Sequence, residues 1–224
     1  MFSLPNSLAT RAQVAGLLEI TYQLVSLSVR NPEITKELIL KKAGILFNTN
    51  GYKATSLSHI TEATGLTKGA IYQHFSNKDE LERETLAYLS SLLFGKLRDL
   101  IKREHSAGDK LRSVFNFFES YTINPPLKGG CPLLNAAIEA DDSNDSLRKE
   151  ANKMLSQLRE SLVLILSNGI KHNQIKATID KDHYATLMIA LLEGGIMMSK
   201  LEGNAQAIRR VLKHLNLLLT EIEQ

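Results

Sequence analysis

The stretch AGILFNTNGYKATSLSHITEATGLTKGAIYQHFSNKDEL, residues 43–81, decides the fold of this chain. It contains two short helical patterns of apolar residues on either side of Gly65. Two short helices joined by a glycine-containing turn form a helix-turn-helix motif. The crossing of the two helices is expected to be fixed by four apolar residues, Ile60, Ala63, Leu66 and Ile71. The small Ala63 permits their close approach.

The second short helix of this motif carries side chains suited to a groove of DNA. Thr67 precedes it as a capping residue. Lys68, Gly69, Tyr72 and Gln73 follow at positions i, i+1, i+4 and i+5, which places them in one broad sector of a helix. The start of a helix carries partial positive charge and free N–H groups, so this end also suits phosphate.

Helical spacing continues through almost all of the remaining chain, and no alternating strand pattern stands out. The segment Ser76–Asp79 has the form of a capping box, which predicts a long helix ending near Gly108. Asp109 is then expected to cap the next helix. Residues 124–130, with two Pro and two Gly, predict a loop. Two long helices are expected at the C-terminus, over residues 181–201 and 205–222.

These patterns predict an all-α protein of two domains with an extension in front. Residues 1–30 have the spacing of an extra amphipathic helix, and a poorly ordered extension is the alternative. Residues 31–80 form the helix-turn-helix domain. Residues 81–224 form a larger helical bundle.

Composition narrows the class of protein without choosing the function. The 224 residues carry a formal net charge of +3, which permits nucleic-acid binding but does not require it. The single cysteine, Cys131, cannot form an intramolecular disulfide, which fits a cytoplasmic protein. Val14–Val29 faintly resembles a signal peptide, but Glu19 interrupts its apolar run. No run reaches the roughly 18 apolar residues of a membrane span, so no membrane partner is expected.

The segment 43–81 closely resembles the N-terminal DNA-binding domain of the TetR family of bacterial transcriptional regulators. The matching residues are Ala43, Leu46, Phe47, Gly51, Tyr52, Thr55, Ser56, Ile60, Ala63, Gly65, Lys68, Gly69, Ala70, Ile71, Tyr72, His74, Phe75, Lys78, Asp79, Glu80 and Leu81. The resemblance implies a ligand-responsive DNA-binding regulator, usually a repressor that leaves a palindromic operator when a small molecule binds. It also implies a homodimer paired through the last two helices.

The same resemblance implies roles for individual residues. Contacts to DNA phosphates fall to Thr55 or Ser56, and to Tyr72, His74 and Lys78. Contacts inside the groove fall to Thr67, Lys68, Gly69, Ala70 and Gln73. A lysine at the helix start can donate to O6 or N7 of guanine.

Other interpretations of these residues stand beside these roles. Tyr72 could be a surface aromatic that covers the helix packing, and His74 could be a packing histidine. The whole chain could also be an enzyme or a ligand carrier built on a helical bundle. No catalytic constellation is visible, so neither enzymatic activity nor a cofactor is expected.

The acids beside His183 suggest metal binding at first sight. Asp180 and Asp182 flank it closely, but their positions before a helix are better explained as N-caps. No metal site is expected.

The segment KGGCPLLNAAIEADD, residues 128–142, resembles a variant found in some TetR-type regulatory domains, where it ends a loop near the effector cavity. It supplies three candidates for effector contacts, Cys131, Asn135 and Glu139, and surface exposure is the alternative for Asn135 and Glu139. A lone cysteine is usually a small buried apolar residue. Because the surrounding helices are apolar, an apolar or amphipathic effector is expected.

Two glycines in the penultimate helix call for a close contact. Gly194 and Gly195 each cost about 1 kcal/mol relative to alanine in a helix. Close approach of a second subunit could offset that cost. Met197 and Met198 are expected to fill the same interface.

Overall fold

The computed structural model describes residues 31–140 and 144–224, so the extension predicted over residues 1–30 lies outside the described part. Within the described ranges the chain forms nine helices and no strand, which confirms the all-α prediction. The helices are α1 Pro32–Asn50, α2 Leu57–Thr64, α3 Lys68–Tyr72, α4 Lys78–Ile101, α5 Ala107–Ile123, α6 Pro132–Ala140, α7 Asp145–Lys171, α8 Lys181–Glu202 and α9 Gln206–Ile222.

Helices α1 to α3 form a small unit around one apolar core. Ile39 and Phe47 of α1 are fully buried, and so are Ile60 of α2 and Ile71 of α3. Gly65 caps α2 in the left-handed conformation, with φ +73°, which a side chain would disfavour. The predicted helix-turn-helix packing is therefore confirmed at Ile60 and Ile71.

The structure corrects two predicted helix starts and one helix end. Asn77, rather than Ser76, caps α4, because its Oδ1 accepts a hydrogen bond of 2.8 Å from the Glu80 backbone N–H. Helix α4 ends at Ile101 instead of near Gly108. Ser106 caps α5 by accepting from the backbone N–H of Asp109, so Asp109 lies inside the first turn.

Helix α4 belongs to both units of the chain. It packs against α1 at one end and against α5 and α7 further along. Its buried face includes Leu81, Leu86, Leu93 and Leu97. The predicted boundary between residues 80 and 81 thus falls inside a continuous helix, which ties the orientation of the small unit to the bundle.

The last two helices of the bundle, α8 and α9, pack closely along each other. A Cβ added at Gly195 would lie 2.7 Å from Cδ1 of Ile208 and 3.2 Å from Val211. The close contact expected of Gly195 is therefore made within the chain, to α9. A Cβ at Gly194 would meet no described atom within 4 Å.

Helix α8 is the one described helix that is long and apolar enough to cross a membrane by length and composition alone. In the structure one face of this helix packs in the core of the bundle, and 39% of its apolar window is buried. Ala185, Met188 and Leu192 on its inner face are buried.

The far end of the bundle is held by a close contact at Gly169. A Cβ there would lie 2.5 Å from Cγ1 of Ile175 and 2.7 Å from Cβ of Ala107. Nearby, Arg112 donates two hydrogen bonds to the Glu223 carboxylate, at 2.9 and 2.7 Å. The ends of α5, α7 and α9 are therefore packed too closely for an extra methyl group.

We predict that Gly169→Ala lowers the free energy of unfolding by about 1–3 kcal/mol, because the new methyl group overpacks this contact. Gly95→Ala in α4 is the matched control, since an added Cβ there would meet no described atom within 4 Å. The control should leave stability unchanged or raise it by up to about 1 kcal/mol. Urea unfolding measures both, and equal effects would show that the contact at Gly169 is loose.

Candidate functional site

Helix α3 presents the predicted groove residues on the surface of the small unit. Lys68, Gly69, Tyr72 and Gln73 are exposed, while Ile71 between them is buried. Tyr72 keeps 49% of its surface accessible. The helix is thus anchored by one apolar residue and leaves a polar side toward solvent.

The starts of α2 and α3 are both capped by exposed hydroxyl residues. Thr67 Oγ1 accepts from the Ala70 backbone N–H at 3.1 Å. Ser56 Oγ accepts from the His59 backbone N–H at 3.3 Å, and His59 Nδ1 accepts from the Ser56 N–H at 3.2 Å. Each cap uses the hydroxyl oxygen as an acceptor, so its O–H proton can still be donated to a phosphate.

The structure decides between Thr55 and Ser56. Thr55 is fully buried, and its hydroxyl donates to the Gly51 carbonyl at 2.7 Å. A side chain in that position cannot reach DNA, so the prediction of a phosphate contact by Thr55 is wrong. Ser56 is exposed and keeps the predicted position.

Lys78 is already engaged at the start of α4. Its Nζ donates to the Tyr52 carbonyl at 2.9 Å and forms an ion pair of 3.1 Å with Glu82. An ammonium group has three donors, which leaves one for a phosphate. Burial raises the pKa of Glu82, and the bond from Lys78 opposes that rise.

His74 lies half-buried beside the start of α1. Together with Ala70 and Gln73 it borders a hollow of about 320 Å³ that also touches Pro32 and Thr35. The three predicted DNA contacts in this group therefore lie on the flank of α3 that faces α1. Lys68 and Tyr72 do not border this hollow.

A network of amide hydrogen bonds joins this small unit to the bundle. The side chain of Asn48, near the end of α1, is buried. Its Nδ2 donates to the carbonyls of Lys128 and Gly130, at 2.7 and 2.9 Å. Asn135 of α6 donates in turn to Asn48 Oδ1 at 2.9 Å. One asparagine thus fixes α1 on the loop before α6.

Two of the predicted effector contacts belong to this joint. Asn135 Nδ2 also lies 3.1 Å from the Asn48 carbonyl and 3.2 Å from that of Gly129. Glu139 accepts from the Lys53 backbone N–H at 3.0 Å, in the turn after α1. The structure therefore places Asn135 and Glu139 where the bundle meets the small unit.

The loop at Gly129 is also held from α8. Lys200 Nζ donates to the Gly129 carbonyl at 2.9 Å. Gly129 has φ +100°, and a Cβ there would overlap the backbone of Asn48. The loop is therefore a thin layer between α1 on one side and α8 on the other.

Cys131, the third predicted effector contact, is buried at the start of α6. Its thiol donates to Oε1 of Glu193, in α8, at 3.0 Å. Burial and the neighbouring Glu193 raise the pKa of this thiol, which removes the thiolate needed for nucleophilic chemistry.

Glu193 and Tyr121 each leave a buried polar atom without a hydrogen bond to the described residues. These atoms are Oε2 of Glu193 and the hydroxyl of Tyr121, a residue of α5. Burial raises the pKa of Glu193 to about 7, although the bond from Cys131 opposes the rise. Burial also raises the pKa of Tyr121, with a further contribution from the charges of Cys131 and Glu193.

A groove of about 810 Å³ runs between α4 and α7. Phe94, Leu97 and Ile165 are among its apolar lining residues, and Arg98 and Lys102 lie on its rim. This volume is within the usual range of small-molecule sites. Cys131, Asn135 and Glu139 do not line it.

The metal interpretation of Asp180 finds no support in the described residues. Oδ1 of Asp180 accepts from the backbone N–H groups of Asp182 and His183, at 3.0 and 3.1 Å, and so caps α8. No group of three possible metal ligands occurs among the residues described.

Sequence reasoning missed Asn48, Tyr121 and Glu193. A signal existed for Glu193, which is the only charged residue in the run LMIALLEGGIMM, residues 187–198. Asn48 lacked such a signal, because an asparagine near the end of a helix is ordinary. Its partners are about 80 residues away in the chain.

Two models of related protein families match this chain, one over the small unit and one over the bundle. A family model described as bacterial regulatory proteins, tetR family, matches residues 39–85. A model described as tetracyclin repressor-like, C-terminal domain, matches residues 107–215.

Named relatives and solved structures extend these matches over most of the chain. The probable HTH-type transcriptional regulator ArpR of Pseudomonas putida is 26% identical over 167 residues, covering 71% of this chain and 77% of the relative. The HTH-type transcriptional repressor DhaR of Mycobacterium sp. (strain GP1) is 24% identical and covers 79% and 88%. A TetR transcriptional regulator from Chloroflexus aurantiacus superposes with TM-score 0.82 at 33% identity, over 87% of this chain and 98% of that one.

We predict that Asn48→Asp lowers the free energy of unfolding by about 2–4 kcal/mol. The carboxylate replaces a double donor and faces the carbonyls of Lys128 and Gly130. Asn50→Asp is the matched control, since Asn50 is exposed two residues further on. Urea unfolding at neutral pH measures both variants. Equal stability of the two would show that the amide network does not hold the joint.

We predict that Glu193 makes stability fall as pH rises. Its folded-state pKa of about 7 lies above the ordinary value of 4.5, so the folded chain keeps a proton that the unfolded chain releases. The stabilisation is full below about pH 4.5 and is lost by about pH 7. Relative to Glu193→Gln, the native protein should lose about 2–3 kcal/mol between about pH 5 and pH 8.

The control for this pH series is Glu202→Gln, an exposed change in the same helix. Its difference from the native protein should stay constant across the same range. A constant difference for Glu193→Gln as well would mean that the Glu193 carboxyl titrates at its ordinary pKa.

Proposed function

The chain belongs to the TetR family of bacterial regulatory proteins, and from this premise we propose that it is a repressor that leaves a palindromic operator when a small molecule binds its C-terminal domain. The observation that carries the proposal is the exposed polar side of α3, fixed on the core through Ile71. The family and the named relatives are transcriptional regulators and not enzymes. As a DNA-binding regulator, the protein is expected to work in the cytoplasm.

In the proposed complex α3 enters the major groove of the operator. Lys68, at its start, donates to a guanine edge, and Gln73 contacts the groove from the flank nearer α1. Tyr72, Ser56 and the remaining donor of Lys78 bind phosphates on either side, which sets the register of the helix. The other proposed contacts on this surface are Thr67, Gly69, Ala70 and His74.

We propose that the operator-binding unit is a dimer paired through α8 and α9. Met197, Met198 and Leu201 of α8 and Leu217 of α9 are large apolar side chains that are exposed in the single chain. No described atom lies within 4 Å of the place where Gly194 would carry a Cβ. The backbone of a second chain can therefore approach α8 at this residue. Pairing would place two copies of α3 about 34–36 Å apart, one turn of DNA.

The proposed response to an effector runs through the Asn48 joint and α4. A ligand can shift the protein away from the DNA-binding state only by binding the other state more tightly. The loop around Gly129 accepts hydrogen bonds from Asn48, at the carbonyls of Lys128 and Gly130, and from Lys200, at the carbonyl of Gly129. A change in the bundle would thus reach both α1 and the proposed dimer helices.

The test of the proposed function is retention of fragmented DNA from the protein's own genome at moderate salt, followed by sequencing. Enrichment of a palindromic site, with affinity that falls as salt rises, is the expected result. Retention of all sequences equally would contradict the proposal, and so would retention of none by protein refolded to remove bound small molecules.

We predict that Lys68→Ala weakens binding to the enriched duplex by about 10- to 100-fold and relaxes selectivity at one base pair, because a base-edge contact is lost. Lys171→Ala is the control, since it removes one exposed charge at the C-terminal end of α7, the end where the contact at Gly169 lies. Fluorescence anisotropy measures both. A similar loss in the two variants would mean that only overall charge matters.

We predict that Leu201→Glu raises the dimer dissociation constant at least tenfold, because Leu201 is 81% exposed in the single chain and a buried glutamate would be desolvated at the interface. Ile138→Glu is the control, an exposed apolar residue on α6. Sedimentation equilibrium measures the association. Unchanged pairing of Leu201→Glu would place the interface elsewhere.

A further inference from the structure

Cys131, Tyr121 and Glu193 form a polar cluster between α5, the start of α6 and α8, in which Glu193 is half-buried. Cys131 and Tyr121 keep only 2% and 5% of their surfaces accessible. Glu193 accepts the Cys131 thiol through Oε1, while its Oε2 and the Tyr121 hydroxyl are buried without a described partner. Buried polar atoms nearly always have partners, so two such atoms in one cluster are unusual.

The atoms left without a partner identify the chemistry that would satisfy them. Carboxylate Oε2 can only accept hydrogen bonds when ionised, and a phenol oxygen can also accept. A group that donates several hydrogen bonds and carries positive charge would satisfy both. Lys200, the lysine further along α8, donates to the Gly129 carbonyl, and Oε2 of Glu193 stays without a partner among the described residues.

Aromatic rings border this cluster on α5. The ring of Tyr121 packs edge-on against Phe117, with centroids 5.8 Å apart, and tilts against Phe118 at 6.0 Å. Aromatic faces attract organic cations, and the effect grows where water is excluded. An organic cation therefore fits these surroundings better than an inorganic ion, which keeps its hydration shell.

We propose that this cluster, named here the Glu193 cluster, binds the primary ammonium group of an organic effector, with Glu193 as counter-ion and the Tyr121 hydroxyl as second acceptor. The inference rests on the proposed function only in treating that ligand as an effector. Occupation would act on the loop next to it, because Cys131 follows Gly130, whose carbonyl holds Asn48. A ligand bound to Glu193 would therefore lie beside Cys131, the residue that follows Gly130 in the loop that holds Asn48.

Binding should be linked to pH through Glu193. The groups facing its carboxyl are Cys131 from α6 and Tyr121 from α5, both with raised pKa values, so Glu193 is the group that titrates near neutrality. An alkylammonium keeps its charge up to about pH 10. At pH 7 each binding event should release about half a proton, and affinity should fall about fivefold from pH 7 to pH 6 and approach a tenfold fall per pH unit at lower pH.

The test is isothermal titration calorimetry of the full chain without DNA, using n-hexylammonium chloride as the probe. Sodium hexanoate, 1-hexanol and potassium chloride are the matched probes for charge, chain and simple salt. Titration at pH 7 in two buffers of different ionisation enthalpy measures the proton release. We expect hexylammonium to bind and the other three probes to bind at least tenfold more weakly.

Variants locate the site. Glu193→Gln should weaken hexylammonium at least tenfold and abolish the proton release, whereas Tyr121→Phe should weaken it several-fold and keep the release. Glu202→Gln, exposed in the same helix, should match the native protein. Circular dichroism confirms that each variant is folded. Absence of hexylammonium binding, equal binding by Glu193→Gln, or equal binding of hexanol, hexanoate or potassium would overturn the proposal.

This experiment separates the two claims, because it needs no operator. If the protein binds its duplex but not hexylammonium, only the proposed ammonium site is disproved. If the protein binds hexylammonium through Glu193 but binds no duplex, the ammonium site stands and the proposed repressor function is disproved.

Discussion

The amide of Asn48 is the interaction on which the arrangement of the whole molecule depends. It is buried at the end of α1, and both of its described donor bonds go to carbonyls of the loop before α6. The packing of α4 and the bond from Lys53 to Glu139 also hold the small unit on the bundle. A joint made of directional hydrogen bonds fixes one orientation, and it can be exchanged for another at modest cost.

The loop at this joint links three parts of the chain that are far apart in sequence. Asn48 reaches it from α1, Lys200 from α8, and Glu193 through the neighbouring Cys131. Helix α8 also carries the exposed Met197, Met198 and Leu201. The loop at Gly129 therefore contacts the small unit, lies next to the Glu193 carboxyl and is bonded to α8, the helix proposed for dimer pairing. A coupled response between separate sites requires such a shared element.

The local features of this protein could be predicted from its sequence, whereas the joint could not. The burial of Ile60 and Ile71 and the left-handed conformation of Gly65 depend on neighbours a few residues away in the chain. Their spacing therefore predicts the helix-turn-helix directly. Thr55 and Ser56 stayed alternatives for the phosphate contact because the sequence does not say which of two adjacent hydroxyls is buried. Asn48 and Glu193 take their roles from partners 62 to 87 residues away, and no local pattern records such contacts.

The central claim is that two copies of α3 are held one turn of DNA apart by a dimer. Hydroxyl-radical footprinting on a duplex enriched from the genome tests it most directly. The account predicts two protected segments related by two-fold symmetry, with centres about 10 base pairs apart on one face of the duplex. A single protected segment, or uniform weak protection along the duplex, would contradict it.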